Sequence, residues 1–170
     1  MWKTRLDSCF PGAAAAFALL CVLVPRAYAA SVSTTFQVSA TVLASCGVTA
    51  SDLDFGNYTP GTGPDITANT TVNVTCTNGT DYTIALDGGS IAHDPSARAM
   101  SAGGPSTLNY GLYTDAAFST VWGDGIGATA TVSGTGDGAA QPTTVYGRIP
   151  AGQYVPATTY TDQITVEVTY

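Results

Sequence analysis

Apolar and polar residues alternate with period two along most of this chain, and no stretch carries the apolar repeat of an amphipathic helix. Val32, Thr34, Phe36, Val38, Ala40 and Val42 share one parity. Val72, Val74 and Cys76 mark a second run, Tyr82, Ile84 and Leu86 a third, and Leu108, Tyr110 and Leu112 a fourth. Ala128 to Val132, then Val145, Gly147 and Ile149, and finally Ile164, Val166, Val168 and Tyr170 complete the series. The opposite parity is rich in Thr, Ser and Asn, the pattern of sheets with one face on a core and one in water. Between the runs lie turn formers such as Pro60-Gly61, Gly63-Pro64, Asp87-Gly88-Gly89, Gly123-Asp124-Gly125 and Pro150-Ala151-Gly152. They supply the fixed and positive φ values of tight connections.

This spacing predicts an all-β fold, an immunoglobulin-like antiparallel sandwich, with a closed barrel as the structural alternative. Asn78-Gly79 between Cys76 and Tyr82 reads as a hairpin turn, Ser90 to Pro105 as a long surface loop, and Thr129 to Gly138 as a strand followed by a mobile turn. Strong strands at both ends of the secreted chain leave edges open to a strand from another molecule.

Residues 1–29 read as a secretory signal: Lys3 and Arg5 open it, Ala13 to Val24 is apolar, and Ala27-Tyr28-Ala29 is an A-x-A cleavage site. The apolar run is shorter than the roughly 20 residues of a spanning helix, so no membrane insertion is expected after cleavage. The mature chain, 30–170, holds 11 acidic residues against Arg98 and Arg148, a net charge of −9, and no lysine. Such a surface repels phosphate backbones and anionic lipid, which argues against nucleic acid and membrane surfaces as partners. Cys46 and Cys76 are the cysteines left after cleavage, and an even pair in an exported chain reads as a disulfide.

The chemistry of catalysis is missing from the pattern. His93 is the single histidine and sits in a loop-like Ala92-His93-Asp94-Pro95 setting, with no serine elbow elsewhere. Asp87, Asp124 and Asp137 adjoin glycines, where a carboxylate caps local backbone groups. Two thiols and one imidazole do not complete a metal site. No phosphate-binding loop occurs. No enzyme activity, cofactor or metal is therefore expected. Four N-x-T sequons, from Asn57, Asn69, Asn73 and Asn78, follow from the threonine-rich composition. Arg98 and Arg148 read as partners in surface ion pairs.

Several short motifs in fixed order resemble the spore coat protein U domain family, which includes subunits of archaic chaperone-usher pili. They are Cys46-Gly47-Val48, Leu53-Asp54-Phe55-Gly56-Asn57-Tyr58, Val72-Asn73-Val74-Thr75-Cys76, Tyr82 to Gly89, Leu108 to Tyr113, Val121-Trp122-Gly123-Asp124, Tyr146 to Pro150, and Tyr160-Thr161-Asp162. The pattern departs at Thr158-Thr159, where a glycine is expected before the tyrosine.

The resemblance implies a sandwich lacking its final strand, completed by donor-strand exchange. The domain would span 45–170 and the donor segment 30–44, the latter overlapping a possible first strand. Val32, Phe36, Val38, Ala40 and Val42 would be the plugs, and Ile164, Val166, Val168 and Tyr170 the receiving edge. The implied function is a pilin-like subunit of a secreted surface fibre supporting adhesion and biofilm formation. The implied partners are neighbouring copies or related pilins, a periplasmic chaperone and an outer-membrane usher. Transit would be through the periplasm to the cell surface. A secreted spore or cell-surface coat protein of the same fold is the alternative, and a carbohydrate-binding module a more distant one.

Overall fold

The computed structural model describes residues 28–61 and 63–170, so nearly all of the predicted signal, 1–29, lies outside the described residues. The chain divides at residue 40. In the first unit, residues 28–40 form no helix or strand.

The second unit is the antiparallel, immunoglobulin-like sandwich expected from the alternation. One sheet has the order β1 (Cys46–Ala50), β2 (Ile66–Cys76), β8 (Gln141–Ile149), β6 (Gly111–Tyr113). The other has the order β7 (Val132–Thr135), β3 (Asp81–Leu86), β9 (Val166–Thr169), and a small ribbon pairs β4 (Ala99–Ser101) with β5 (Thr107–Asn109). Parity sets the core: Val72, Val74 and Cys76 from β2, Tyr82, Ile84 and Leu86 from β3, and Val145 and Ile149 from β8 are buried between the sheets. Trp122 is fully buried among them and donates its indole N–H to the Ile84 carbonyl at 3.1 Å. That bond satisfies a polar group that would otherwise be costly to bury.

Three local expectations are corrected. Asn78-Gly79 does form a turn, with Gly79 at φ 78°, but β2 and β3 lie in different sheets. Both edges of β2 are already paired, to β1 and β8, so β3 has no ladder to join there and the chain arches across the core. Ser90 to Pro105 is more structured than a loop: Gly89–Ala92 forms one helical turn, α1, and β4 follows. The terminal run ends its ladder at Thr169 and begins it at Val166, so Ile164 and Tyr170 fall outside β9.

Arg98 accounts for the order in 89–101. It was expected in a surface ion pair; instead its side chain is fully buried, with no carboxylate bonded to it among the described residues. Its Nε donates to Asp87 O (2.9 Å), Nη1 to Pro95 O (3.0 Å), and Nη2 to Leu86 O (3.2 Å), Asp87 O (2.5 Å) and Trp122 O (2.9 Å). Burial draws the guanidinium down from its ordinary range, and Tyr110, Asp87, Asp162 and Asp124 hold it up. A planar fork with five donors can satisfy several carbonyls at once, which an ion pair at the surface would not use. Arg148 behaves as expected: its Nε lies 3.7 Å from Asp65, and its guanidinium stacks over Tyr113 and Phe118.

Candidate functional site: an open groove between two strand edges

Among the described residues, β1 of the first sheet pairs only with β2, and β9 of the second pairs only with β3. Each therefore keeps one edge free, and these two edges approach one another along one seam of the sandwich. The direction of the free backbone groups follows from the ladder. The bonds Thr77 N–H to Ser45 O and Ser51 N–H to Thr71 O show that odd residues of β1 face β2. The bond Asp87 N–H to Thr165 O shows the same for odd residues of β9 facing β3. Alternation then turns the N–H and C=O groups of Cys46, Val48 and Ala50, and of Val166 and Val168, toward the seam.

The side chains of those same residues point inward, yet the seam leaves them incompletely covered. Val48 is 39% exposed and Ala50 is exposed, while Ile164, Val166 and Val168 pack half-buried against the core. Below the seam lies a groove of about 560 Å³ that opens to the surface and is lined by apolar and polar residues in similar share. Its walls include Ala50 on one side and Ile164 and Val166 on the other, and Val72, Leu86 and Leu112 contribute to its lining. Leu53 and Phe55 also line it and are seated by Gly147, where an added Cβ would meet Leu53 Cδ2 at 2.6 Å and Phe55 Cζ at 2.8 Å. Asp54 and Gly56 form the turn that aims this pair: the Asp54 carboxylate accepts Gly56 N–H at 2.8 Å, and Gly56 adopts φ 67°.

The approach to β9 is held by two carboxylates. Asp87 Oδ1 accepts the N–H of Gly89 and of Thr165, each at 3.0 Å. Burial raises the Asp87 carboxyl, but its bonds to Thr165 and Gly89 and the nearby Arg98 outweigh that and leave it below its ordinary value. Asp162 accepts Ser90 N–H (2.9 Å), Ser90 Oγ–H (2.8 Å), Gln163 N–H (2.8 Å) and Tyr110 O–H (2.7 Å). Gly89 is required beside it, because an added Cβ would collide with the Asp162 carboxylate. Burial and the bond to Asp162 push the Tyr110 phenol well above its ordinary range. Tyr110 and Asp162 form one polar corner of the groove, and Asp52, Asp54 and Gln163 add further polar lining.

The Cys46–Cys76 disulfide expected from the sequence is present and joins β1 to β2 at directly opposed positions, Cα to Cα 4.1 Å. It fastens one wall of the groove. The residues read as plugs are placed in the open: exposures run from 81% at Val38 to 98% at Val32, with Phe36 and Val42 each at 86% and Ala40 also exposed. No strand is assigned between residues 28 and 45. The residues read as a receiving edge divide: Ile164 and Val166 line the groove, Val168 packs against the core beside it, and Tyr170 is 59% exposed outside the core cluster. Reasoning from alternation alone missed β1 as the opposite wall and Leu53, Phe55 and Tyr110 as lining. The spacing of Leu53 and Phe55 was the available signal.

His93 is exposed at the C-cap of α1 with φ 58°. Asp124 and Asp137 accept N–H bonds from Ile126 (2.9 Å) and Ala139 (2.9 Å), the turn-capping role expected of them. Among the described residues no three metal-ligating side chains cluster, and no helix is long and apolar enough to cross a membrane.

Comparison with known proteins places this geometry. The model of the Spore Coat Protein U domain matches residues 32–167. "Protein U" of Myxococcus xanthus is 31% identical over 135 residues, covering 73% of this chain and 74% of that protein. Among solved structures, one chain of the CsuC–CsuE chaperone–tip adhesion subunit pre-assembly complex from archaic chaperone-usher Csu pili of Acinetobacter baumannii shares the fold. It has a TM-score of 0.53, 23% identity and coverage of 76% of this chain; the match spans 40% of the solved chain. The chain belongs to the Spore Coat Protein U domain family.

Proposed function

We propose that this chain is a structural, non-catalytic subunit of a secreted surface fibre, an incomplete sandwich that polymerises by donor-strand exchange. One observation carries the reading: a groove with apolar residues such as Val72, Leu86 and Ile164 in its lining lies between two free strand edges, while the same chain presents an exposed, uncharged segment with apolar residues at one parity. In this reading residues 30–44 of one copy enter the groove of the next and hydrogen-bond to the edges of β9 and β1, and the domain proper is 45–170. Val32, Phe36, Val38, Ala40 and Val42 turn inward. Burial of Phe36 and Val38 alone contributes about 3–6 kcal/mol, and the added ladder gives direction and register.

A groove of this kind is unprotected before assembly, and a periplasmic chaperone that lends a strand, followed by an outer-membrane usher that orders the exchange, would supply the protection. The likeness to a chain from a chaperone–pilus subunit complex supports those partners and a route through the periplasm to the cell surface. Adhesion and biofilm formation are the roles such a fibre serves. The Myxococcus relative and the family's description favour a second reading, a coat protein of the same fold assembled on a spore or cell surface without a fibre.

The test compares mature 30–170 with the same chain carrying a second copy of residues 30–44 on a flexible linker after Tyr170. Completion of the fold predicts a monomer melting far above the unextended form, which polymerises or unfolds readily. Two monomers with equal melting temperatures would overturn the donor-strand reading.

A further inference from the structure

The groove is uneven along its length. Its open volume is bounded by Ala50 at the end of β1 and by Ile164 and Val166 at the start of β9, with Leu53 and Phe55 beside them. The other half of the same seam, where Cys46, Val48 and Val168 stand, does not border that volume. The apolar residues of the N-terminal segment are uneven too: Phe36 is the single aromatic, against Val32, Val38, Ala40 and Val42. A large void filled by a small side chain leaves its lining without contacts.

We propose that register in the assembled protein is set by Phe36 of a second copy entering the cavity between Ala50 and Ile164, with the valines and Ala40 along the remainder of the seam. The occupant is this chain's own segment in another molecule, argued from its composition. Residues 28–51 carry no charge, whereas the body around the groove carries Asp52, Asp54 and Asp162 at its rim. A cationic donor would be drawn to the rim carboxylates and an anionic one repelled; an uncharged segment selects by shape. A one-step slip of two residues would place Val38 or Thr34 in the cavity and Phe36 outside it. The proposal rests on the donor-strand reading above and adds the position of one residue within it.

The test uses the full mature chain and fluorescent peptides of residues 30–44, with binding followed by anisotropy. Ala50 is exposed, so Ala50→Phe narrows the cavity from its rim without disturbing the core. The wild-type peptide is expected to bind the Ala50→Phe chain at least 10-fold more weakly than the parent. A Phe36→Ala peptide should recover affinity on that variant relative to the wild-type peptide, while binding the parent chain more weakly. Peptides with Val32→Ala, Val38→Ala or Val42→Ala should show no such exchange of preference. Recovery by Val38→Ala instead, with wild-type binding to the parent intact, overturns the register and leaves the donor-strand reading standing. Failure of every peptide to bind parent chain that elutes as a folded monomer overturns both.

Discussion

Replacing Arg98 with methionine removes every donor of a buried cation while keeping most of its apolar stem. The loss is concentrated on two buried carbonyls, Leu86 O and Trp122 O, which accept from Nη2 at 3.2 and 2.9 Å. Asp87 O and Pro95 O are only partly buried and can recruit water. Two orphaned buried acceptors cost about 2–6 kcal/mol at about 1–3 each, and relief of the guanidinium's own desolvation offsets part of that. A net loss of about 3 kcal/mol is expected, a large fraction of the roughly 5–15 kcal/mol that holds a domain folded. Trp122 is the only tryptophan of residues 30–170, so urea unfolding of that span followed by its fluorescence reads the change next to the perturbed site. Arg98→Lys discriminates geometry from charge. One ammonium cannot reach four carbonyls arranged around a planar fork, so lysine should recover only part of the loss. A methionine variant within about 1 kcal/mol of the parent, or a lysine variant equal to it, would refute the assignment of Arg98 as the clasp of the 86–98 region.

Acid should weaken the fold through Asp87, Asp115 and Asp124, whose carboxyls all lie below their ordinary values. Hydrogen bonds and Arg98 outweigh burial at Asp87, bonds from Ser119, Thr120 and Ala117 do so at Asp115, and the Ile126 N–H leads at Asp124. A depressed folded pKa gives stability that is complete above the unfolded value near 3.9 and is lost as pH falls through the folded one; melting temperature should be flat above about pH 5 and drop below about pH 4, less steeply for Asp87→Asn. Reduction of Cys46–Cys76, which spans 30 residues, should cost about 3–4 kcal/mol by denaturant midpoint. It should also weaken binding of the 30–44 peptide, because β1 loses its only covalent tie. Gly147→Val drives a side chain into Leu53 and Phe55 and is expected to cost about 1–3 kcal/mol, read by thermal unfolding; no change would mean that the two residues do not pack on β8 as described.

Much of this structure was legible because period-two alternation is a local signal with a global meaning. Val72, Val74, Ile84 and Leu86 point into the core for the reason the pattern predicts: a strand's side chains alternate whatever it pairs with. The disulfide was equally legible, since reading residues 1–29 as a signal leaves two cysteines with one pairing. Pairing partners were not. Asn78-Gly79 has the chemistry of a hairpin turn, yet the neighbours of β2 decide that the chain leaves the sheet, and those neighbours, β1 and β8, are remote in sequence. Arg98 misled for a related reason. Nothing adjacent to it announces that the carbonyls of residues 86, 87, 95 and 122 converge on one point.

The candidate site divides along the same line. Sequence alone determined that the chain builds sheets with one apolar face, that its N-terminal segment is uncharged and one-sidedly apolar, and that its last strand carries a core-facing row. Only the tertiary structure decided that β1 and β9 each keep one edge unpaired on a shared seam, that Leu53 and Phe55 line the gap between them, and that its open volume lies between Ala50 and Ile164. The physical reason is that a strand's faces are set by its own backbone geometry, whereas its edges are set by which other strands the whole fold brings alongside.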